Sequence, residues 1–206
     1  MTMPDAYHHG DLPTALRAAA VDLLAERGPS SFSLREVARR AGVSHAAPSH
    51  HFGDSRGLLS SVAAEGYATL AAAMRNATEG ILDPVERLRA CGRTYVETAR
   101  ANPGHYSVMV DNDCTYPDHP ELTASGAEAY DVLLDTVELL RDTLRPDLDI
   151  DATATLLWAG VHGLVELLPA LDQMADKHLD GSTPTIERLV DYWSNMIVDG
   201  LRARDD

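Results

Sequence analysis

The 206-residue chain is short of the residues that hold disulfide-rich or sheet-rich proteins together. Its two cysteines, Cys91 and Cys114, are too few for a disulfide framework and show no paired spacing for zinc. Aromatic residues make up 5% of the chain while alanine and leucine abound, which favours helix over sheet. No convincing run of alternating β-formers occurs, nor any internal repeat or low-complexity tract. Met1-Thr2-Met3-Pro4-Asp5 lacks a basic region followed by an apolar run, so no secretory leader is expected. The longest apolar stretch, from Thr155 onward, is broken by His162 and Glu166 and is too short for a membrane span. Together these absences predict a cytoplasmic protein without a membrane partner.

The constellations of an enzyme are missing as well. There is no glycine-rich phosphate loop and no nucleophile elbow, and Gly160-x-x-Gly163 is too short for a dinucleotide fingerprint. The histidines at 8–9 and at 45, 50 and 51 fit no standard ligand spacing. We therefore expect no catalytic residue, no metal and no cofactor. An enzyme reading would need scattered His, Asp and Ser side chains to meet in space.

Positive charge is scarce overall, since the formal net charge is -15. It is unevenly spread. Up to residue 60, Arg17, Arg27, Arg35, Arg39, Arg40 and Arg56 balance Asp5, Asp11, Asp22, Glu26, Glu36 and Asp54. The acid excess lies entirely after that point. An acidic body behind a neutral, histidine-bearing head softens non-specific attraction to DNA and leaves the head to make contact.

What the chain has is helical periodicity. Leu12, Ala15, Leu16, Ala19, Ala20, Leu23 and Leu24 predict a first helix over about Leu12–Arg27, capped by Asp11 and ended by Gly28-Pro29. Ser33-Leu34-Arg35-Glu36 reads as a capping box opening a short second helix. Gly42 stops it. Ser44 then reads as the cap of a third helix ending near Phe52, with Pro48 in local conflict unless that helix starts later. Longer helices are predicted from Arg56 to about Thr78, from Pro84 to about Asn102, from about Pro120 to Leu144, over about Asp151–Ala175 and over about Pro184–Ala203. A short helix over Gly104–Val110 and a loop over Asp111–Pro120 complete an all-α chain of about nine helices.

The second helix, Gly42 and the third helix make a tight helix-turn-helix. Small Ala38 lets the helices approach, Gly42 takes the left-handed turn, and Val43 plugs the gap between them. With Tyr7-His8-His9-Gly10-Asp11-Leu12, Leu34 through Ser44, Ala46-Ala47-Pro48 and His51-Phe52, residues 7–66 resemble the N-terminal domain of the TetR family. Trp158-Ala159-Gly160-Val161-His162-Gly163 resembles the Trp…His-Gly signature of one C-terminal subgroup. The resemblance implies an N-terminal three-helix DNA-binding domain, residues 1–55, and a C-terminal helical ligand-binding and dimerisation domain, residues 56–206. It also implies double-stranded DNA with a palindromic operator as partner. The expected outcome is a transcription regulator, a repressor released by a small-molecule effector. The alternative is a ligand-binding or protein-interaction module with weakened DNA binding.

The DNA-facing candidates are Ser33, Arg35, Arg39, Arg40, Ser44, His45, Ala46, Ala47, Ser49, His50, His51, Ser55 and Arg56. Arg39 and Arg40 read equally well as a solvated helix end, and His51 as packing beneath Phe52. By resemblance, a tyrosine is usual at Ser49, a basic residue at His50 and a lysine at Ser55. Fewer charged phosphate contacts flatten the salt dependence of binding, and Arg56 is the nearest compensating charge. Effector candidates are Tyr95, His105, Tyr106, Met109, Trp158 and His162, each of which can equally be a satisfied core residue.

The last two helices suggest a homodimer. Residues 156–168 are apolar on nearly every side, and the final helix carries an apolar stripe. Ala159, Gly160, Gly163, Leu167, Leu189, Trp193, Met196 and Ile197 are the expected contacts of a four-helix interface.

Overall fold

The computed structural model describes residues 12–111, 113–144, 147–178 and 185–201. The expected Asp11 cap and the Tyr7-His8-His9 arm lie outside them. Nine α-helices and no strand occur among the described residues: α1 Leu12–Arg27, α2 Leu34–Arg40, α3 Ala47–Phe52, α4 Ser55–Thr78, α5 Pro84–Ala101, α6 Pro103–Met109, α7 Pro120–Leu144, α8 Ile150–His178 and α9 Ile186–Leu201. The all-α reading holds, with boundaries within a few residues of those expected.

The chain forms two compact units: residues 1–67 with 102–125, and residues 68–101 with 126–206. This division by compactness does not follow the boundary at residue 55 that the resemblance implies.

In the first unit, α1 buries Leu16, Ala19, Ala20, Leu23 and Leu24, the stripe its spacing requires. Val37 of α2, Leu58 and Val62 of α4 and Val108 of α6 are buried in the same unit. The Gly28 N–H bonds to the Leu24 carbonyl at 2.8 Å and ends the helix. Helix α6 lies against α1. His105 and Met109 of α6 pack on Gly66 of α4, where a Cβ would meet the Met109 sulfur at 2.6 Å.

Two local expectations need correction. Ser33 occupies the cap position of α2 in extended backbone, but its side chain makes no capping bond. The Glu36 carboxylate instead takes two hydrogen bonds from Arg39, at 2.7 and 2.9 Å. The guanidinium offers the carboxylate two charged donors, where the capping box would offer it one neutral backbone N–H. Ser44 does not cap α3. That helix begins at Ala47, with Ala46 in the cap position, so Pro48 falls within the first turn, where a missing N–H costs little.

The turn between α2 and α3 follows from Gly42. At φ 70° it lets its own N–H reach the Arg39 carbonyl at 3.3 Å, while Val43 N–H reaches Ala38 at 3.0 Å. These paired bonds satisfy the last carbonyls of α2 and aim the chain into α3.

In the second unit, Asp83 Oδ1 accepts from the backbone N–H groups of Val85 and Glu86, at 2.8 and 3.1 Å, and opens α5. Leu88 of α5, Leu133, Val137 and Leu140 of α7, Ala154 and Leu157 of α8, and Val198 of α9 form one buried cluster. Helix α9 turns Ile186, Val190, Ser194 and Val198 inward at steps of four.

Candidate nucleic-acid interface

Helix α3 is anchored by one side chain and presents the rest. Pro48 is buried, Ala47 is half-buried, and Ser44, His45, Ala46, Ser49, His50 and His51 are exposed. Ser33 and Arg35, at the start of α2, are exposed as well. The His50 and His51 rings meet edge to face at 5.4 Å, and His51 lies 6.4 Å from the Phe52 ring while remaining exposed. A short helix so presented offers hydroxyl donors and imidazoles, groups suited to base edges and phosphates.

The charges of this head are largely spoken for. Arg39 is paired with Glu36, whose carboxyl is pulled down to about 2 by the hydrogen bonds from Arg39. Arg40 spans from α2 to Glu26 of α1 with bonds of 2.7 and 2.8 Å, and this holds the Glu26 carboxyl below its usual range. Arg35 makes no ion pair among the described residues.

At the start of α4, Ser55 is half-buried in the first turn, and Asp54 takes the cap. Its Oδ1 accepts from Gly57 N–H at 3.0 Å and its Oδ2 from the Tyr116 hydroxyl at 2.6 Å. The Tyr116 hydrogen bond holds Asp54 below the ordinary carboxylate range, and Asp54 in turn raises Tyr116. The Arg56 guanidinium lies 4.3 Å from the centre of the Tyr116 ring and donates to the Thr115 carbonyl. The sequence marks Thr115 and Tyr116 only as loop. With Thr115 standing 59 positions along the chain from Arg56, no spacing could reveal the contact.

The six effector candidates fall in both compact units. Tyr95, Trp158 and His162 come together in the second. The Tyr95 hydroxyl is 3.0 Å from His162 Nδ1, and its ring meets Trp158 edge-on at 5.5 Å. Tyr95 and Trp158 line an apolar cavity of about 20 Å³ with Met74, Cys91, Gly92 and Trp193. That is room for about one water. His105, Tyr106 and Met109 belong to α6 in the first unit. Burial there lowers the His105 pKa, and Nε2 is buried without a hydrogen-bond partner among the described residues.

The expected dimer contacts divide between an inner and an outer face. A Cβ on Gly160 would meet the Trp193 ring at 2.5 Å, so the close approach that Gly160 permits is made within the chain. Trp193 and Ile197 pack against the buried cluster, and Leu189 is half-buried. Ala159, Leu167 and Met196 are exposed, while a Cβ on Gly163 would meet nothing within 4 Å among the described residues. Leu156 at 71% and Tyr192 at 67% exposure add to this outer face and were not among the expected contacts.

Among the described residues no group of three His, Cys, Asp or Glu stands together as a metal site, and no helix is long and apolar enough to cross a membrane.

Comparison with known proteins agrees with this geometry. Residues 16–62 match the bacterial regulatory proteins of the tetR family, and residues 88–192 match the tetracyclin repressor-like C-terminal domain. A protein of unknown function from Rhodococcus sp. RHA1 is 30% identical over 98% of this chain and 100% of its own, with a TM-score of 0.77. A tetR-family regulatory protein from Rhodococcus RHA1, 18% identical over 95% of this chain and all of its own, shares the fold with a TM-score of 0.68. The HTH-type transcriptional repressor Rv3405c of Mycobacterium tuberculosis is 40% identical over 52 residues, 25% of this chain, and the match spans 28% of that repressor's length. With both domains matched, the C-terminal one over half of the chain, and with the helix-turn-helix in place, the chain belongs to the TetR family of bacterial regulatory proteins.

Proposed function

We propose that this protein is a cytoplasmic, sequence-specific DNA-binding transcription regulator that acts by binding, not by turnover. The observation that carries the reading is the exposed surface of α3 and of the turn before it, where Ser44 and His45 of the turn and Ser49 and His50 of the helix stand in solvent while Pro48 is buried behind them. Such a helix enters the major groove with polar side chains toward base edges. Ser33, Arg35, Ala46, Ala47, His51 and Ser55 flank it.

The operator is a palindrome bound by a homodimer. The exposed apolar face of Leu156, Leu167, Tyr192 and Met196 supports a second copy as its cover. One such face on each protomer makes a self-complementary interface.

Blocking polymerase by occupancy makes it a repressor, and the similarity of a 52-residue stretch to an M. tuberculosis repressor supports that sense. A small molecule entering the cavity beside Tyr95 and Trp158 releases it. At about 20 Å³ the cavity must widen to admit one, and α4, which supplies residues to both compact units, carries the change to the head.

Selection of bound duplexes from a random pool tests the proposal. Enrichment of one palindromic sequence is expected. Failure to enrich any sequence would leave a ligand-binding module in its place, a reading favoured by the intramolecular pairing of Arg39 and Arg40.

A further inference from the structure

Between His51 and Arg75 the chain holds a single basic residue, Arg56, in the first turn of α4. Two consecutive residues far along the chain close over it. The Tyr116 ring covers one face of its planar guanidinium at 4.3 Å, and the Thr115 carbonyl accepts from Nη2. The Tyr116 hydroxyl donates to Asp54 Oδ2 at 2.6 Å, which keeps a carboxylate beside the same guanidinium. The Tyr116 backbone N–H donates to Ser60 Oγ at 2.8 Å, and that hydroxyl donates to the Arg56 carbonyl at 2.7 Å.

This arrangement spends the cation within the molecule. A planar guanidinium grips phosphate through paired edge donors. Here one edge is used by a carbonyl, one face by an aromatic ring, and the field is offset by Asp54. With Arg39 and Arg40 held by Glu36 and Glu26, the head keeps little free positive charge.

We propose that Tyr116 is a positioning residue that withholds Arg56 from the DNA backbone, so that the Thr115-Tyr116 segment sets the phosphate affinity of the head. The inference rests on the DNA-binding reading. Its contacts divide usefully. The bond to Ser60 is made by the main chain and survives a side-chain change, whereas the ring and hydroxyl do not. Removing the side chain therefore uncovers one face of Arg56 and leaves the Thr115 carbonyl as its remaining partner in the segment, which stays tethered to α4.

The test is the salt dependence of binding to a duplex that the wild-type protein selects from a random pool. Tyr116→Ala and the bulkier Tyr116→Leu, which preserves apolar packing should the smaller change impair folding, both remove the aromatic cover and leave Arg56 only the single Thr115 carbonyl bond, which a phosphate can displace. Each steepens the slope of log K against log salt by about 0.9 per head, or roughly 1.8 for two heads on one duplex. From 50 to 200 mM salt this is an additional loss of roughly tenfold in affinity. The same substitutions made on an Arg56→Ala background produce no steepening. An unchanged slope overturns the proposal, as does steepening that persists without Arg56. A shallower slope overturns it too, because it would make Tyr116 a platform that offers Arg56 to phosphate. If the wild-type protein selects no duplex at all, the DNA-binding reading fails first and takes this inference with it.

Discussion

The hydroxyl of Tyr95 lies 3.0 Å from Nδ1 of His162 and ties α5 to α8 beside the cavity of the second unit. The same Tyr95 ring stands edge-on to Trp158, which meets Tyr130 of α7 at 5.8 Å. Three helices are thus joined through contacting aromatic rings. Tyr95 is only 4% exposed, so its hydroxyl has been taken out of water and depends on protein partners. Tyr95→Phe keeps the ring contacts and removes the bond. A loss of about 1 kcal/mol is expected, read as a lower urea midpoint at unchanged slope. An unchanged midpoint would show that the bond adds nothing net.

Gly160 and Gly163 lie on the same helix and predict opposite outcomes. A methyl at 160 runs into the Trp193 ring, which is held by the buried cluster and cannot simply swing aside. Gly160→Ala is expected to cost about 1–3 kcal/mol, the range of an overpacked core. A methyl at 163 meets nothing, so Gly163→Ala leaves the fold intact or gains up to about 1 kcal/mol of helix propensity. Thermal melting of the two variants separates them, and equal melting temperatures would contradict the packing described.

Leu167, 57% exposed, and Met196, 60% exposed, lie on the proposed dimer face. Charge there is tolerated by a lone protomer and not by a buried interface. Leu167→Glu and Met196→Glu are therefore expected to give folded monomers at micromolar concentration in sedimentation velocity, while the wild type sediments as a dimer. Dimers persisting in both variants would place the interface elsewhere.

Acid sensitivity has a defined local source. Arg39 holds the Glu36 carboxyl at about 2, against an ordinary value of 4.5. The pair favours the ionised form in the folded state, so its contribution is present above pH 4.5 and is lost as pH falls through about 2. Melting curves between those limits should show a shallower loss of stability for Glu36→Gln than for the wild type. Parallel curves would mean that solvent already screens the pair fully.

The helices and the helix-turn-helix were legible because their signals are local. The stripe of α1 falls at fixed spacing, and Gly42 marks a turn that needs positive φ. Competition between partners was less legible. Ser33 and Glu36 stand at capping-box spacing, yet Arg39, three residues on from Glu36, offers two charged donors and takes the carboxylate. Contacts between distant segments were not legible at all. Arg40 with Glu26 and Arg56 with Tyr116 depend on how separate helices fall together, which no periodicity encodes. The dimer face shows a third case. Hydrophobicity marked α8 and α9 as buried, but only packing reveals that Trp193 fills the notch at Gly160 while Leu156 and Tyr192 face outward.

The central claim is that α3 reads DNA sequence. Fluorescence anisotropy with the duplex immediately upstream of the protein's own coding sequence, or with a duplex selected from a random pool, tests it against a scrambled duplex across a range of salt. The account predicts tight binding to the specific duplex alone, a shallow salt slope that reflects the paired arginines, and loss of discrimination when His45 and His50 are both replaced by alanine. Equal affinity for specific and scrambled duplexes, or discrimination untouched by the double replacement, would contradict it.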